Sequence, residues 1–195
     1  MLEDASGIDA ACIDDRMLNS QPLIEDRYGR KVDLLCSLDV IDMLVEREAV
    51  TKAERIEAIH KMREWSFSTL PVDADELLEQ LLEKKAGETG ILMESAKLRV
   101  IREYLARLHS SDFLCAASDL EYLDELWRVG QKVIWNLWKD EKSAVADIAA
   151  RANWVVDHII PDIELALRFA PDGKERMEDI VLARMMAAVM PLEIP

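Results

Sequence analysis

Glycine and proline are scarce, six of each in 195 residues, and only three cysteines are present. So little glycine and proline excludes collagen-like and low-complexity chains. Cys12, Cys36 and Cys115 are odd in number, far apart and set among apolar neighbours. They read as buried, reduced thiols rather than a disulfide framework or a zinc site. No apolar run approaches the ~18 residues of a membrane span. The chain opens acidic, with Glu3 and Asp4, unlike the basic then apolar start of a signal peptide. The expectation is a cytoplasmic protein. Positive charge is also short. Residues 1–85 carry 11 Lys and Arg against 20 Asp and Glu, residues 86–195 carry 13 against 19, and the net charge is −15. A protein that grips phosphate backbones by charge alone needs the opposite balance. Nucleic-acid contact here requires a metal ion or a small local basic patch.

What is present is a helix-rich composition, half of it hydrophobic and about a third charged, in a chain long enough to bury a real core. Its character changes near "KKAGETG", 84–90, where two glycines among polar neighbours suggest a linker. Before it, short apolar runs alternate with helical stretches. Ala10–Ile13, "DLLCS" (33–37) and "FSTLPV" (67–72) are strand candidates, with Pro71 limiting the last to a strand end or edge. The spacing predicts helices in "DVIDMLVERE", in "TKAERIEAIHKMREW" and in "DADELLEQLLEKK". The second opens with a capping box, Thr51 and Glu54, and the third has acids in its first turn and lysines in its last. Strands alternating with helices argue for parallel β–α units buried on both faces.

After residue 90 the pattern is helical throughout. Leu98, Ile101, Leu105 and Leu108 make one stripe, and Leu120, Leu123, Trp127, Ile134 and Leu137 a second, where Gly130 admits a close neighbour. Ala144, Ile148, Val155 and Ile159 make a third, stopped near Pro161, and Met177, Ile180, Met185, Met186 and Val189 a fourth, stopped by Pro191. Such stripes are the signature of helices packed on one another. The expected fold is an α/β N-terminal part with a partial parallel sheet, residues 1–86, followed by an all-α helical region, 91–195.

The chemistry concentrates on strand ends. "AACIDDR" runs a buried-strand candidate into Asp14 and Asp15, with Arg16 beside them. At the carboxyl ends of parallel strands, side chains from different strands converge on one crevice. Carboxylates there suit Mg²⁺ or Mn²⁺, which take oxygen ligands and activate water against a phosphodiester. The plainer role is a cap on a helix starting near Arg16. "CSLD" places Ser37 and Asp39 at the next strand-to-helix turn, where Ser37 reads as an N-cap and Asp39 favours the helix dipole. If the two strands are parallel neighbours, Asp14, Asp15, Ser37 and Asp39 face one crevice. Asp73 and Asp75 read as first-turn residues of the following helix. Between the strands, Arg27, Tyr28, Arg30 and Lys31 form the one compact basic cluster of this half. Its aromatic ring suits a stacked base, and its plain reading is a solvated turn around Gly29. His60, His109 and His158 lie in three different helices without metal-ligand spacing, and no Gly-rich phosphate loop, nucleophile elbow or HExxH occurs.

The order of apolar strand, "DDR", variable loop, apolar strand with "SLD", amphipathic helix and "KMREWSFSTLPVDADELLEQL" resembles the C-terminal half of PIN-like domains over residues 8–85. It is most similar to the PIN-like module of large bacterial proteins with tetratricopeptide and GreA/GreB-C-like regions, associated with conflict systems. The resemblance implies a three-layer α/β/α fold and a metal-dependent ribonuclease using three or four carboxylates with Mg²⁺ or Mn²⁺. It places Asp14 or Asp15 at the acidic position after the later strand and Asp39, or Ser37 beside it, near a fourth position. Arg16 then sits beside the ligands, while Arg27 and Arg30 are candidate nucleic-acid contacts on the cluster's own chemistry. The family's earlier strand-borne Asp and helix-borne acid have no counterpart, since only nine residues precede the first strand candidate and Asp4 and Asp9 follow no strand. The resemblance therefore implies a truncated or split module, inactive alone and completed by a partner protein or an upstream segment. The alternative is a non-catalytic helical adaptor whose tryptophan-bearing helices bind a partner protein.

Overall fold

A computed structural model describes residues 6–14, 22–65, 67, 69–87, 90–110 and 118–161. Three short strands come first. β1 (Ala10–Cys12), β2 (Leu23–Glu25) and β3 (Lys31–Leu35) form a mixed sheet in the order β1-β3-β2. β1 runs parallel to β3, with Ala10 opposite Asp33 and Cys12 opposite Leu35. β2 runs antiparallel to it, with Leu23 opposite Asp33 and Glu25 opposite Lys31. Six helices follow among the described residues: α1 (Ser37–Glu46), α2 (Lys52–Glu64), α3 (Ala74–Leu82), α4 (Ala96–Ser110), α5 (Ser118–Trp138) and α6 (Val145–His158). The expected α/β start followed by a helical region is the architecture observed. The chain divides into two compact units, residues 1–62 and 63–195, and α2 runs through the division.

In the first unit the central strand is not buried on both faces as expected. Val32 and Leu34 are buried while Lys31 and Asp33 are exposed. That period of two marks a sheet with one covered face. β2, absent from the expectations, owes its place to the turn at 26–30, which folds it back on β3. None of the side chains of α1 is buried, although Leu38, Val40, Ile41, Met43, Leu44 and Val45 are apolar. α2 starts as its capping box predicts. Glu54 Oε2 accepts from Thr51 N at 2.9 Å and Thr51 Oγ1 accepts from Glu54 N at 3.2 Å. The Thr51 backbone bond, helped by its hydroxyl, holds the Glu54 carboxyl below its ordinary range.

In the second unit α5 packs on α3 and α6, and α4 packs on α3 and α6 as well. Leu77 and Leu81 of α3, Leu98, Ile101 and Leu105 of α4, and Val133 and Leu137 of α5 are fully buried. Each such side chain contributes about 1.5–3 kcal/mol relative to its exposed state. Asp73 caps α3 by accepting from Asp75 N and Glu76 N. Arg151 of α6, itself buried, donates to Lys84 O at 2.7 Å and so satisfies a carbonyl just beyond the end of α3. The stretch 84–90 lies within this unit, where Ala86 bridges Leu92 and Gly87 N donates to Ile91 O.

The strand expected at 67–72 is not present among the described residues. At Leu70 and Pro71 the backbone groups are met by side chains instead. Tyr104 Oη accepts from Leu70 N at 2.6 Å, Tyr122 donates to Leu70 O at 3.2 Å, and Arg63 donates to Pro71 O at 2.6 Å. The β-like run thus bends at Thr69, where φ is 54°, and is held at Leu70 and Pro71 by two tyrosines and an arginine. The helix expected over 177–189 lies outside the described residues.

Candidate functional site

The parallel pairing of β1 with β3 determines what meets at their carboxyl ends. Cys12 lies opposite Leu35, and Ile13 N donates to Leu35 O at 2.8 Å. Carrying the same register two residues on sets Asp14 against Ser37. Asp14 Oδ1 accepts from Ser37 N at 2.7 Å, and Asp14 Oδ2 accepts from Ser37 Oγ at 2.6 Å. Ser37 is the first residue of α1. A carboxylate from one strand end therefore meets the N-terminal N–H of a helix that begins at the other, where the helix dipole favours negative charge. The pair is exposed to solvent.

Ser37 was expected as the N-cap, but Cys36 holds that position and Asp39 is at N3. Asp39 Oδ2 accepts from Cys36 N at 2.7 Å, one half of a capping box. Burial pushes the Cys36 thiol above its ordinary value, and the Asp39 carboxylate adds to the rise. Such a thiol is a poor nucleophile. Cys12, expected to be buried, is exposed on β1, an edge strand of the sheet among the described residues. Asp15, Arg16 and Cys115 lie outside the described residues.

Arg27 and Arg30 do not join this group. They sit in the turn before Lys31, at the other end of β3 from Ser37. Four residue steps of strand, roughly 13 Å, separate the two ends. The turn is organised by Asp26, a residue the sequence reading passed over. Its side chain is buried, and Oδ1 accepts from Tyr28 N at 2.8 Å and from Arg30 N at 2.9 Å. An Asp that precedes a glycine by three residues is the available signal, since Asx turns place an acid in that way.

A second residue pair was also passed over. Arg63, fully buried, donates to Glu76 Oε1 at 2.8 Å and Oε2 at 3.1 Å. No periodicity marks it, because each residue looks like an ordinary charged helix position. Around Glu94, burial acts against ionisation. The hydrogen bonds from Arg102 at 2.7 Å and Trp154 at 2.8 Å outweigh it and hold the carboxyl below its ordinary range. His158, expected one turn after Trp154, stands edge-on to that ring at 5.1 Å. Burial lowers its pKa. His60 is buried.

Among the described residues no group of three or more His, Cys, Asp or Glu side chains is placed to hold a metal ion. Within the predicted set, the described part of the site therefore offers Asp14, with Ser37 as its hydrogen-bond donor and Asp39 two residues further on. No helix of the described residues is long and apolar enough to cross a membrane. Comparison with protein-family models, with curated proteins and with solved structures finds no match to this chain.

Proposed function

We propose that the first unit carries part of a metal-dependent, RNA-cleaving site of the PIN-like kind, with Asp14 as its strand-end ligand, and that the chain alone does not cleave. The observation that supports the reading is the pairing of Asp14 with Ser37 at the carboxyl ends of two parallel strands. Two donors orient the carboxylate, as outer-shell partners orient metal ligands. Each oxygen keeps a further lone pair for a hard cation. The donor chemistry suits Mg²⁺ or Mn²⁺, which accept one or two carboxylates plus waters. When bound, such an ion supplies an activated water and neutralises charge on the phosphodiester. Asp15 is the second ligand in this reading, Arg16 balances charge beside it, and Asp39 shapes the helix start. The remaining carboxylates come from a partner protein or another segment.

Calorimetric titration of the chain with Mn²⁺ tests the reading, alongside an Asp14→Asn, Asp15→Asn double variant. Saturable binding that disappears in the variant supports it. Binding that survives the variant, or is missing from both proteins, overturns it and leaves Asp14 as a helix cap.

The second reading is a non-catalytic adaptor that binds a partner protein. It is favoured by the large apolar side chains standing in solvent on the second unit, Trp65 (72% exposed), Ile91 (70%), Met93 (69%) and Trp135 (50%). If Mn²⁺ fails to bind, this second reading takes precedence.

A further inference from the structure

We infer that the turn between β2 and β3, residues 26–31, is a contact for single-stranded nucleic acid. Arg27 and Arg30 take phosphate oxygens there, and Tyr28 offers a ring on which a base stacks. The inference deepens the phosphodiester reading and rests on it for its purpose. The contact itself stands on separate residues at the far end of β3.

Three observations distinguish this turn from a solvated polar loop. It is built from beneath, since Asp26 is 3% exposed and its carboxylate accepts from the Tyr28 and Arg30 amides. Asp26 N also donates to Arg30 O at 2.9 Å, and Gly29 supplies the φ of 80° that closes the turn. The turn therefore loses little entropy on engaging a ligand. Second, it gathers cations around one ring. The Arg27 guanidinium lies 4.6 Å from the Tyr28 ring centroid and that of Arg30 lies 5.8 Å from it, while Arg27 also bonds the Tyr28 hydroxyl. Both guanidiniums lie against the same ring, so an anion there meets two positive charges. Third, Tyr28 is 58% exposed and the Arg30 side chain 51% exposed, so a base reaches the part of the ring that the guanidiniums leave uncovered.

The charge around the turn is mixed, and the balance decides what can bind. Lys31 joins the two arginines, and against them stand Glu25, with Oε1 3.5 Å from where a Gly29 Cβ would lie, and buried Asp26, 3.9 Å from Arg30. A chain of net charge −15 repels a polyanion elsewhere. So small a positive surplus cannot hold a duplex by charge alone. An unpaired base adds the missing term, because stacking on an aromatic ring contributes about 1–3 kcal/mol per base. A single strand is therefore favoured over a duplex.

The test is fluorescence anisotropy with short labelled oligouridylate and oligothymidylate, on the full chain in EDTA, between about 50 and 200 mM NaCl. Chelation keeps it independent of any metal site, so the contact and the Mn²⁺ reading fail separately. Saturable binding of the single strands is expected, with a duplex of equal length bound at least tenfold more weakly. Tyr28→Ala should weaken binding about 5- to 150-fold, the stacking range converted to affinity, and Tyr28→Phe should keep it. The Arg27→Ala, Arg30→Ala variant should reduce the salt slope by about 1.4, two single-strand phosphate contacts. Circular dichroism of each variant establishes that the fold is retained. No saturable binding at low salt, or binding indifferent to Tyr28→Ala, overturns the inference. Equal binding of inorganic polyphosphate would reduce the turn to a charge contact and overturn it as well.

Discussion

At the scale of single residues, the charges that matter most for structure are those spent on backbone groups. Asp14, Asp26, Asp39 and Asp73 all accept from main-chain N–H groups near turns or helix starts. Each of these four carboxylates is placed where partial positive charge already exists. Arg63 and Glu76 are different, because both are buried side by side. Removing one partner strands the other without water. Glu76→Gln should lower stability by about 3–5 kcal/mol, read from urea unfolding at constant m-value. An Arg63→Met, Glu76→Leu double variant should recover most of that loss, because no charge is then left buried. A loss below about 1 kcal/mol for Glu76→Gln would show that water reaches the guanidinium.

At the scale of elements, packing sets the outcome where propensity points elsewhere. Gly130 sits inside α5, where helix propensity alone favours alanine by about 1 kcal/mol. A Cβ there would lie 2.7 Å from Ile160 Cγ1 and 3.3 Å from its Cδ1. The close approach expected of Gly130 is realised by the residue that follows α6 by two positions. Gly130→Ala should therefore destabilise by about 1–3 kcal/mol. In an Ile160→Ala background the same change should become neutral or stabilising, a coupling that thermal denaturation of the four proteins measures. An additive cycle would mean that the helices separate without cost. The segment 67–72 teaches the same lesson from the other side. Its β-like composition is real, yet Tyr104 and Tyr122 meet its backbone at Leu70, and pairing with another strand is not needed to satisfy those groups.

At the scale of the whole molecule, the two units differ in how much apolar surface they bury. Among the described residues of 1–62 the buried apolar side chains are Val32, Leu34, Ile59 and Met62, and α1 contributes none. In residues 63–195 the fully buried side chains run through α3, α4, α5 and α6. Local stability follows burial of this kind. Hydrogen exchange should show amides of β3 and α1 protected at least about tenfold less than those in the middles of α4 and α5. Uniform protection across both units would contradict that difference and imply one cooperative fold.

Much of this was legible in the sequence because local chemistry carries it. The Leu98, Ile101, Leu105 and Leu108 stripe buries as its spacing requires, and the Thr51–Glu54 box starts α2 where written. Asp73 caps α3, and an apolar run ending at Asp14 is a strand beside the apolar run ending before Ser37. Periodicity and capping act within a few residues, so one chain read alone reveals them. Tertiary structure decided what depends on register and on distant partners. It set Asp14 against Ser37, buried Arg63 with Glu76, and gave Leu70 to two tyrosines instead of a strand. None of these contacts has a local signature, because each joins residues whose separation along the chain is set by folding rather than by helical or strand period.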